Sequence, residues 1–525
     1  MVSEARFVDE LIAARARASG ADLAPLADAN GPADANEPGE AGGRVLIRDG
    51  HDVVRDHELE PAVIAFADTL QSAGLRAGDR ILIVNENACA AAIAYLAATR
   101  VRAWPILLNA RLTAREIAAI TAHAQPQLAL YTHAVSADAA RHADAAGAKT
   151  VTLTAGGRLA IAGPYGATPE PDNPDPARCV GAMLYTSGTT GQPKGVMLSH
   201  RSLAFVAHGA GAVRGLSPAS HVWASLPISH IYGLAAVFLA ALHYRAKITF
   251  AQRFDPAHAA DALEHDAITV FQGVPAMHAH MLAYAERRGR PLIAPHLRVA
   301  TCGGAPIDMA LKARMQEMLG RPLNNGYGLT ETTATVTVTR TDSPVADECV
   351  GAAIDGIDVS VRGPDGDALA PGEVGEIWVR GPNIMLGYYR AQAETAAAFQ
   401  GDWFRTGDLG RLTDAGDLYI AGRLKELIIR SGFNVYPPEV EGVLNAHPDV
   451  AISAVVGRKD GSNEEVVAFL QAVPGRAIDV DDVAQHAKAH LAAYKRPSRW
   501  HVAATLPATA AGKIKKAELL ALLDT

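Results

Sequence analysis

The chain has 525 residues, 49% hydrophobic and 20% charged, which excludes a small disulfide scaffold and a largely disordered chain and leaves room for several domains. Its 48 basic residues against 56 acidic ones give a formal charge of −8, so the molecule as a whole attracts neither nucleic acid nor an anionic membrane. Cys89, Cys179, Cys302 and Cys349 stand too far apart for a Cys-x-x-Cys metal or redox site, and a reduced, cytoplasmic setting is expected.

Near the N-terminus Glu4, Asp9 and Glu10 occupy positions where a secretory leader would be basic and then apolar. Residues 1–19 suit a short helix, but Ala21 to Gly43 is an aperiodic run of Ala, Asp, Pro and Gly, so 1–44 is expected to be a mobile lead-in outside the core. From Val45 to about Arg340, apolar strands such as Arg80 to Val84 and Ile268 to Phe271 alternate with amphipathic helices, the pattern of a mostly parallel α/β domain. The longest apolar runs, Ala88 to Thr99 and Gly233 to Leu242, are well short of the roughly 20 residues a membrane span needs. Between 350 and 421 short strands separated by Pro364-Asp365-Gly366, Pro371-Gly372 and Asp414-Ala415-Gly416 predict a distorted barrel or antiparallel sheet. A smaller α+β segment fills 422–525. The expected fold is therefore α/β: a large N-terminal domain, 45–421, of layered, mostly parallel sheets plus a distorted β-barrel, then a small C-terminal domain.

The most informative stretch is Thr186-Ser187-Gly188-Thr189-Thr190-Gly191, followed by Gln192-Pro193-Lys194-Gly195 and the apolar run Val196 to Leu198. Glycines let backbone N–H groups converge on an anion, hydroxyls add donors and Lys194 adds a cation, so the loop suits a polyphosphate. It is not a Walker loop, because strand and not helix is predicted after Lys194. By itself it reads equally well as a plain hairpin of small polar residues.

Further along come Gly303-Gly304-Ala305-Pro306 after the predicted strand Leu297 to Thr301, with Pro306 placed to start a helix. Asn325-Gly326-Tyr327-Gly328-Leu329-Thr330-Glu331 follows, then Trp403-Phe404-Arg405-Thr406-Gly407-Asp408, Gly422-Arg423-Leu424-Lys425-Glu426, and Gly512-Lys513-Ile514. Taken in order, these segments resemble the signatures of the adenylate-forming superfamily of acyl-CoA synthetases and 4-coumarate-CoA-ligase-like enzymes, over almost the whole chain. The resemblance implies ATP, Mg²⁺ and coenzyme A as ligands and a carboxylic acid as substrate. It implies that the loop from Thr186 to Gly191 and Lys194 hold phosphates, that Tyr327 and Gly303, Gly304 and Ala305 enclose the adenine within a site that also includes Asn325, Gly326 and Gly328, that Thr330 donates to the α-phosphate and that Glu331 holds the metal.

It further implies that Asp408 accepts the ribose hydroxyls, that Arg423 meets ribose or phosphate, and that Lys513 bridges carboxylate and phosphate in the first half-reaction. Ser431 and Gly432 would line the pantetheine tunnel, and Gly422 would be the hinge of a mobile small domain. Taken singly, Tyr327 also reads as a core aromatic, Glu331 as a charge at a helix start, Asp408 as a turn residue and Arg423 as half of a surface ion pair. Lys515 and Lys516 read as solvated tail residues. His230 and Tyr232, in Leu226 to Gly233 at the start of a predicted helix, match the residues flanking the acyl pocket; no arginine is marked for a second carboxylate. The alternation of Thr333, Thr335, Thr337 and Thr339 with apolar residues predicts an exposed hydroxyl face on a strand. The expected activity is ATP-dependent acid-CoA ligation through an acyl adenylate, with delivery to an acyl carrier protein or a small-diacid ligase as alternatives.

Overall fold

The strand Arg80–Asn85 is apolar without alternation from Ile81 to Val84 and is buried from end to end, so it needs neighbours on both edges and layers on both faces. In the computed structural model, which describes Val8 and residues 43–187, 193–430, 433–460, 463–473, 475–508 and 514–523, those neighbours are Trp104–Asn109 and Leu128–Tyr131, both parallel to it. Helices Cys89–Arg100 and Ala114–Ala124 make the crossovers that parallel pairing requires. Val180–Ser187 joins beside Trp104–Asn109 and returns antiparallel as Pro193–Ser199, within a sheet of eight strands.

A second sheet, of nine strands, has a parallel centre in the spatial order Val45–Arg48, Lys247–Phe250, His221–Ala224, Val270–Gly273, Val299–Cys302 and Leu323–Tyr327. One core cluster joins Ile81 and Ile83 of the first sheet to Leu46 and Val222 of the second through helix Cys89–Arg100 and the π-helical segment Tyr232–Leu239, which continues as the α-helix Ala240–His243. Both helices are apolar all round because both are covered all round. The two long apolar runs of the sequence are thus central packing elements, and no helix among the described residues is long and apolar enough to cross a membrane.

The stretch expected as a barrel or antiparallel sheet is an antiparallel sheet of five strands, with Trp403–Leu412 paired to Gly375–Arg380, Phe399–Gln400 and Leu418–Arg423. Between them Gly387–Tyr388 leaves this sheet and pairs with Pro193–Ser199 of the eight-stranded one. Beyond Arg423 a hairpin of Ile428–Arg430 and Phe433–Val435 precedes a three-stranded sheet of Val450–Asp460, Asn463–Ala472 and Arg499–Ala503. Helices Pro437–Asn445 and Val480–His490 cover it around a separate core of Val440, Val455, Ala468 and Val483.

Several local expectations change. Val8 is fully buried and its N–H donates to His200 Nδ1 at 3.1 Å, so this residue of the supposed lead-in belongs to the core; the rest of 1–42 lies outside the described residues. The helix after Pro306 begins at Met309, because the Asp308 carboxylate caps it by accepting from the Leu311 N–H at 2.9 Å. The alternating threonines are buried: Thr333 Oγ1 donates to the Asn383 carbonyl at 2.7 Å and Thr337 Oγ1 to the Val350 carbonyl at 2.8 Å. Their hydroxyls satisfy loop carbonyls that no strand partner reaches, which periodicity alone cannot distinguish from exposure to water.

Candidate active site

Pro193–Ser199 places Lys194 opposite Thr186 and Pro193 opposite Ser187, so the predicted hairpin and the strand after Lys194 are both present. The loop residues Gly188, Thr189, Thr190 and Gly191 lie outside the described residues. Lys194 Nζ sits 5.1 Å from the centroid of the Tyr388 ring, a cation on an aromatic face. The Tyr388 hydroxyl donates to Glu331 Oε1 at 2.9 Å. Burial first, and then the Glu331 charge, drive the Tyr388 phenol well above its ordinary pKa, so it stays a proton donor. Tyr388 was not singled out in the sequence; the only signal was a glycine followed by two tyrosines.

Glu331 lies on the short turn Thr330–Thr332, pinned on several sides. The Met385 N–H donates to the Glu331 carbonyl at 2.9 Å, and Asn383 Nδ2 donates to the Thr332 carbonyl at 3.1 Å. Gly328 is required here, since a Cβ at that position would lie 1.9 Å from the Ala334 carbonyl oxygen. Glu331 Oε2 takes no hydrogen bond among the described residues, and no cluster of three or more His, Cys, Asp or Glu side chains there could hold a metal. One carboxylate with an oxygen to spare fits Mg²⁺, which commonly takes one or two protein carboxylates and fills its octahedron with phosphate oxygens and water.

The second group forms where the nine-stranded sheet meets the antiparallel sheet. Tyr327, at the end of Leu323–Tyr327, donates its hydroxyl proton to Asp408 Oδ2 at 2.7 Å. Asp408 is 4% exposed, and its Oδ1 meets Arg423 Nε at 3.0 Å across the strand register. Burial, then the Asp408 charge, raise the Tyr327 pKa well above the ordinary value. Asp408 is therefore a buried, charge-paired residue and Arg423 its partner. Asn325 is buried beside them, its N–H donating to Thr339 Oγ1 at 2.8 Å and its side chain accepting from the Gly326 N–H at 3.0 Å.

The Gly303 to Ala305 segment follows Val299–Cys302 directly. A Cβ on Gly303 would come 3.2 Å from the Tyr232 ring, so glycine lets the ring approach the strand end. Tyr232 opens the π-helical segment, and its hydroxyl lies 3.0 Å from Thr301 Oγ1. His230 is exposed, with Nδ1 accepting from the Tyr232 N–H at 3.2 Å.

Lys513, Ser431 and Gly432 lie outside the described residues, though their flanks are ordered: Arg430 pairs with Phe433, and Ala508 bridges Ile514. Gly422 has φ of +153° and a Cβ there would lie 3.4 Å from Pro438 Cδ. Lys516 is not a solvated tail residue: its Nζ bridges Glu441 at 2.8 Å and Glu426 at 3.2 Å, fastening the chain end to the segment just after Arg423.

A family model described as AMP-binding enzyme matches residues 45–389, and one described as AMP-binding enzyme C-terminal domain matches 439–513. A feruloyl-CoA synthase of an Amycolatopsis species is 32% identical over 481 residues, covering 90% of this chain and 94% of that protein. The 2-succinylbenzoate–CoA ligase of Geobacillus kaustophilus is 31% identical over 486 residues, with 91% and 95% covered. Among solved structures, ATP-bound MatB from Rhodopseudomonas palustris superposes with a TM-score of 0.78 at 29% identity, covering 91% of this chain and 95% of that one. The o-succinylbenzoate CoA synthetase of Bacillus subtilis in complex with its acyl-adenylate intermediate gives 0.77 at 26% identity, with 91% and 95% covered.

Proposed function

Because the chain belongs to the AMP-binding enzyme family, we propose a role for each site residue in the reaction of an ATP-dependent acid–CoA ligase. A carboxylate oxygen attacks the α-phosphorus of ATP, giving acyl-AMP and pyrophosphate; the CoA thiol then attacks the acyl carbon, giving the thioester and AMP and losing its proton. The first step brings two anions together, so catalysis must come from cations and fixed donors that hold them in line.

The observation that carries this reading is the contact of Lys194, Tyr388 and Glu331, which joins the phosphate hairpin to the acidic turn through one aromatic ring. Lys194 and the loop 188–191 bind phosphate oxygens, Thr330 donates to the α-phosphate, and Glu331 would hold Mg²⁺. The metal, when bound, neutralises phosphate charge. Tyr388 keeps the Glu331 carboxylate turned toward that position by donating to its other oxygen. Tyr327 and Gly303 to Ala305 enclose the adenine. Asp408, oriented by Tyr327 and Arg423, accepts the ribose hydroxyls.

Lys513 bridges the reacting carboxylate and phosphate, His230 and Tyr232 border the acyl site, and Ser431 and Gly432 line the thiol's approach. The division at Gly422 separates a large unit, 45–421, from a small mobile one, and the +153° φ at this residue is a conformation only glycine adopts without strain. The same angle makes proline unsuitable as a probe of the hinge, since its fixed φ near −65° would disturb the strand itself. A cytoplasmic setting accords with four buried cysteines, none in a disulfide.

The test is a pyrophosphate-release screen with ATP and Mg²⁺ over short, medium, long-chain, aromatic and dicarboxylic acids. At least one acid should release pyrophosphate, and adding CoA should then convert that acid to thioester with one AMP per turnover. Absence of AMP with every acid would sink the reading.

A further inference from the structure

The inner end of the acyl site is polar at a depth where hydrocarbon side chains would be expected. The Tyr232 hydroxyl meets Thr301 Oγ1 at 3.0 Å. Arg214, at the end of helix His200–Val213, is 8% exposed; its Nη1 donates to the carbonyls of Ala210 at 3.0 Å and Ala236 at 3.2 Å. Its Nε meets no acceptor among the described residues.

Beside this lies Gln272, 1% exposed, with neither amide oxygen nor amide nitrogen partnered among the described residues. Gln272 and Thr301 are register partners in adjacent parallel strands, so their side chains share one face of the sheet. Their strand neighbours confirm the face: Val270 and Val299 belong to the cluster against which Tyr232 packs, whereas Phe271, Ala300 and Cys302 belong to the cluster on the opposite side. Two strands and the π-helical turn thus bring a bare amide, a hydroxyl and a phenol together, and the Arg214 guanidinium is fastened to the same π-helical segment. Buried polar groups are normally partnered, and a site that keeps an amide and a guanidinium nitrogen without acceptors is built for a ligand that supplies them.

We infer that the acid taken by this site carries a hydrogen-bonding oxygen group, a carbonyl, hydroxyl or carboxylate, distal to the reacting carboxyl, and that Gln272, beside Thr301 and Tyr232, selects it over a bare alkyl chain. The inference rests on the ligase reading above. Gln272 donates through its amide nitrogen and accepts through its oxygen. An alkyl chain in the same position leaves these groups unpaired, and sites built to hydrogen-bond a substrate reject the analogue that lacks the group far more strongly than apolar pockets reject a missing methylene.

The experiment compares isosteric pairs in the pyrophosphate assay. Keto acids of several chain lengths are set against analogues in which a methyl branch replaces the ketone oxygen, and a ring-hydroxylated cinnamate against its ring-methylated counterpart. The best oxygenated acid should exceed its isostere in kcat/KM by at least about ten-fold, and Gln272→Leu should shrink or reverse that ratio. If methyl isosteres turn over as well as or better than their oxygenated partners, the ligase reading stands and this inference is overturned. An equal fall for both members of a pair in Gln272→Leu would also overturn it, and should that variant not fold, the wild-type ratios decide alone. Absence of pyrophosphate with every acid overturns the ligase reading and this inference with it.

Discussion

Tyr327 donates its phenolic proton to Asp408 Oδ2 at 2.7 Å across a separation of 81 residues. The bond joins the last parallel strand of the nine-stranded sheet to the antiparallel sheet, and on the far side of the same carboxylate Arg423 closes the contact at 3.0 Å. Two motifs that look independent along the chain are thus one hydrogen-bonded unit, whose carboxylate is fixed before a nucleotide arrives.

Tyr327→Phe keeps the ring proposed to enclose the adenine and removes the hydroxyl donor to Asp408 Oδ2. A hydrogen bond to a charged group is worth about 1.5–3 kcal/mol. The expected outcome is an ATP KM raised roughly ten-fold or more with a smaller change in kcat, together with a lower urea midpoint; initial rates over ATP concentration and denaturant titration check both.

Tyr388→Phe removes the donor to Glu331 while retaining the ring that receives Lys194. Apparent Mg²⁺ affinity in pyrophosphate release should weaken by about ten-fold, a change that a merely structural defect would not confine to the metal dependence. A Mg²⁺ dependence identical to wild type would show that Tyr388 does not position the carboxylate.

Lys513→Ala should nearly abolish carboxylate-dependent pyrophosphate release while a supplied acyl adenylate is still converted to thioester, because the lysine is assigned to the first half-reaction alone. A loss of at least about ten- to a hundred-fold corresponds to one charge-assisted hydrogen bond made in the transition state. Equal loss of both half-reactions would remove the assignment.

Acid stability is set in part by buried histidines held neutral. Burial lowers the pKa of His278 from 6.5 to about 4, and its Nε2 donates to the Thr301 carbonyl at 3.1 Å. Between those two values the unfolded chain binds a proton that the folded one refuses, so stability falls as pH drops through that window and is unaffected by this group above it. His200 and His221, each lowered to about 3 chiefly by burial, act in the same direction. His278→Gln keeps an N–H donor without the titration, and its urea midpoint should fall less than that of the wild type between pH 7 and pH 5. Equal slopes would show that His278 already titrates with its unfolded value.

The chemistry-bearing segments were legible without coordinates, because Gly, Thr and Lys at fixed spacing, or Gly-Tyr-Gly before Thr-Glu, have few other uses in combination. The hairpin around the phosphate loop was legible for the same reason: two apolar runs flank a stretch that neither helix nor strand can absorb. The threonines of 333–339 were misread because alternation reports which residues share a face and not what covers that face. Lys516 was misread because nothing local predicts an ion pair with Glu441 and Glu426.

By itself, then, the sequence determined the layered α/β class, which depends on local periodicity, and the order of the motifs, whose resemblance to a known family implied the class of reaction. Only the tertiary structure decided that Tyr388 stands between Lys194 and Glu331, that Asp408 is held by Tyr327 and Arg423, and that Gln272 is buried in register with Thr301 with its amide unpartnered among the described residues. These relationships join residues tens to hundreds of positions apart, brought together by strand register and sheet packing, and neither quantity is written in any local window of the chain.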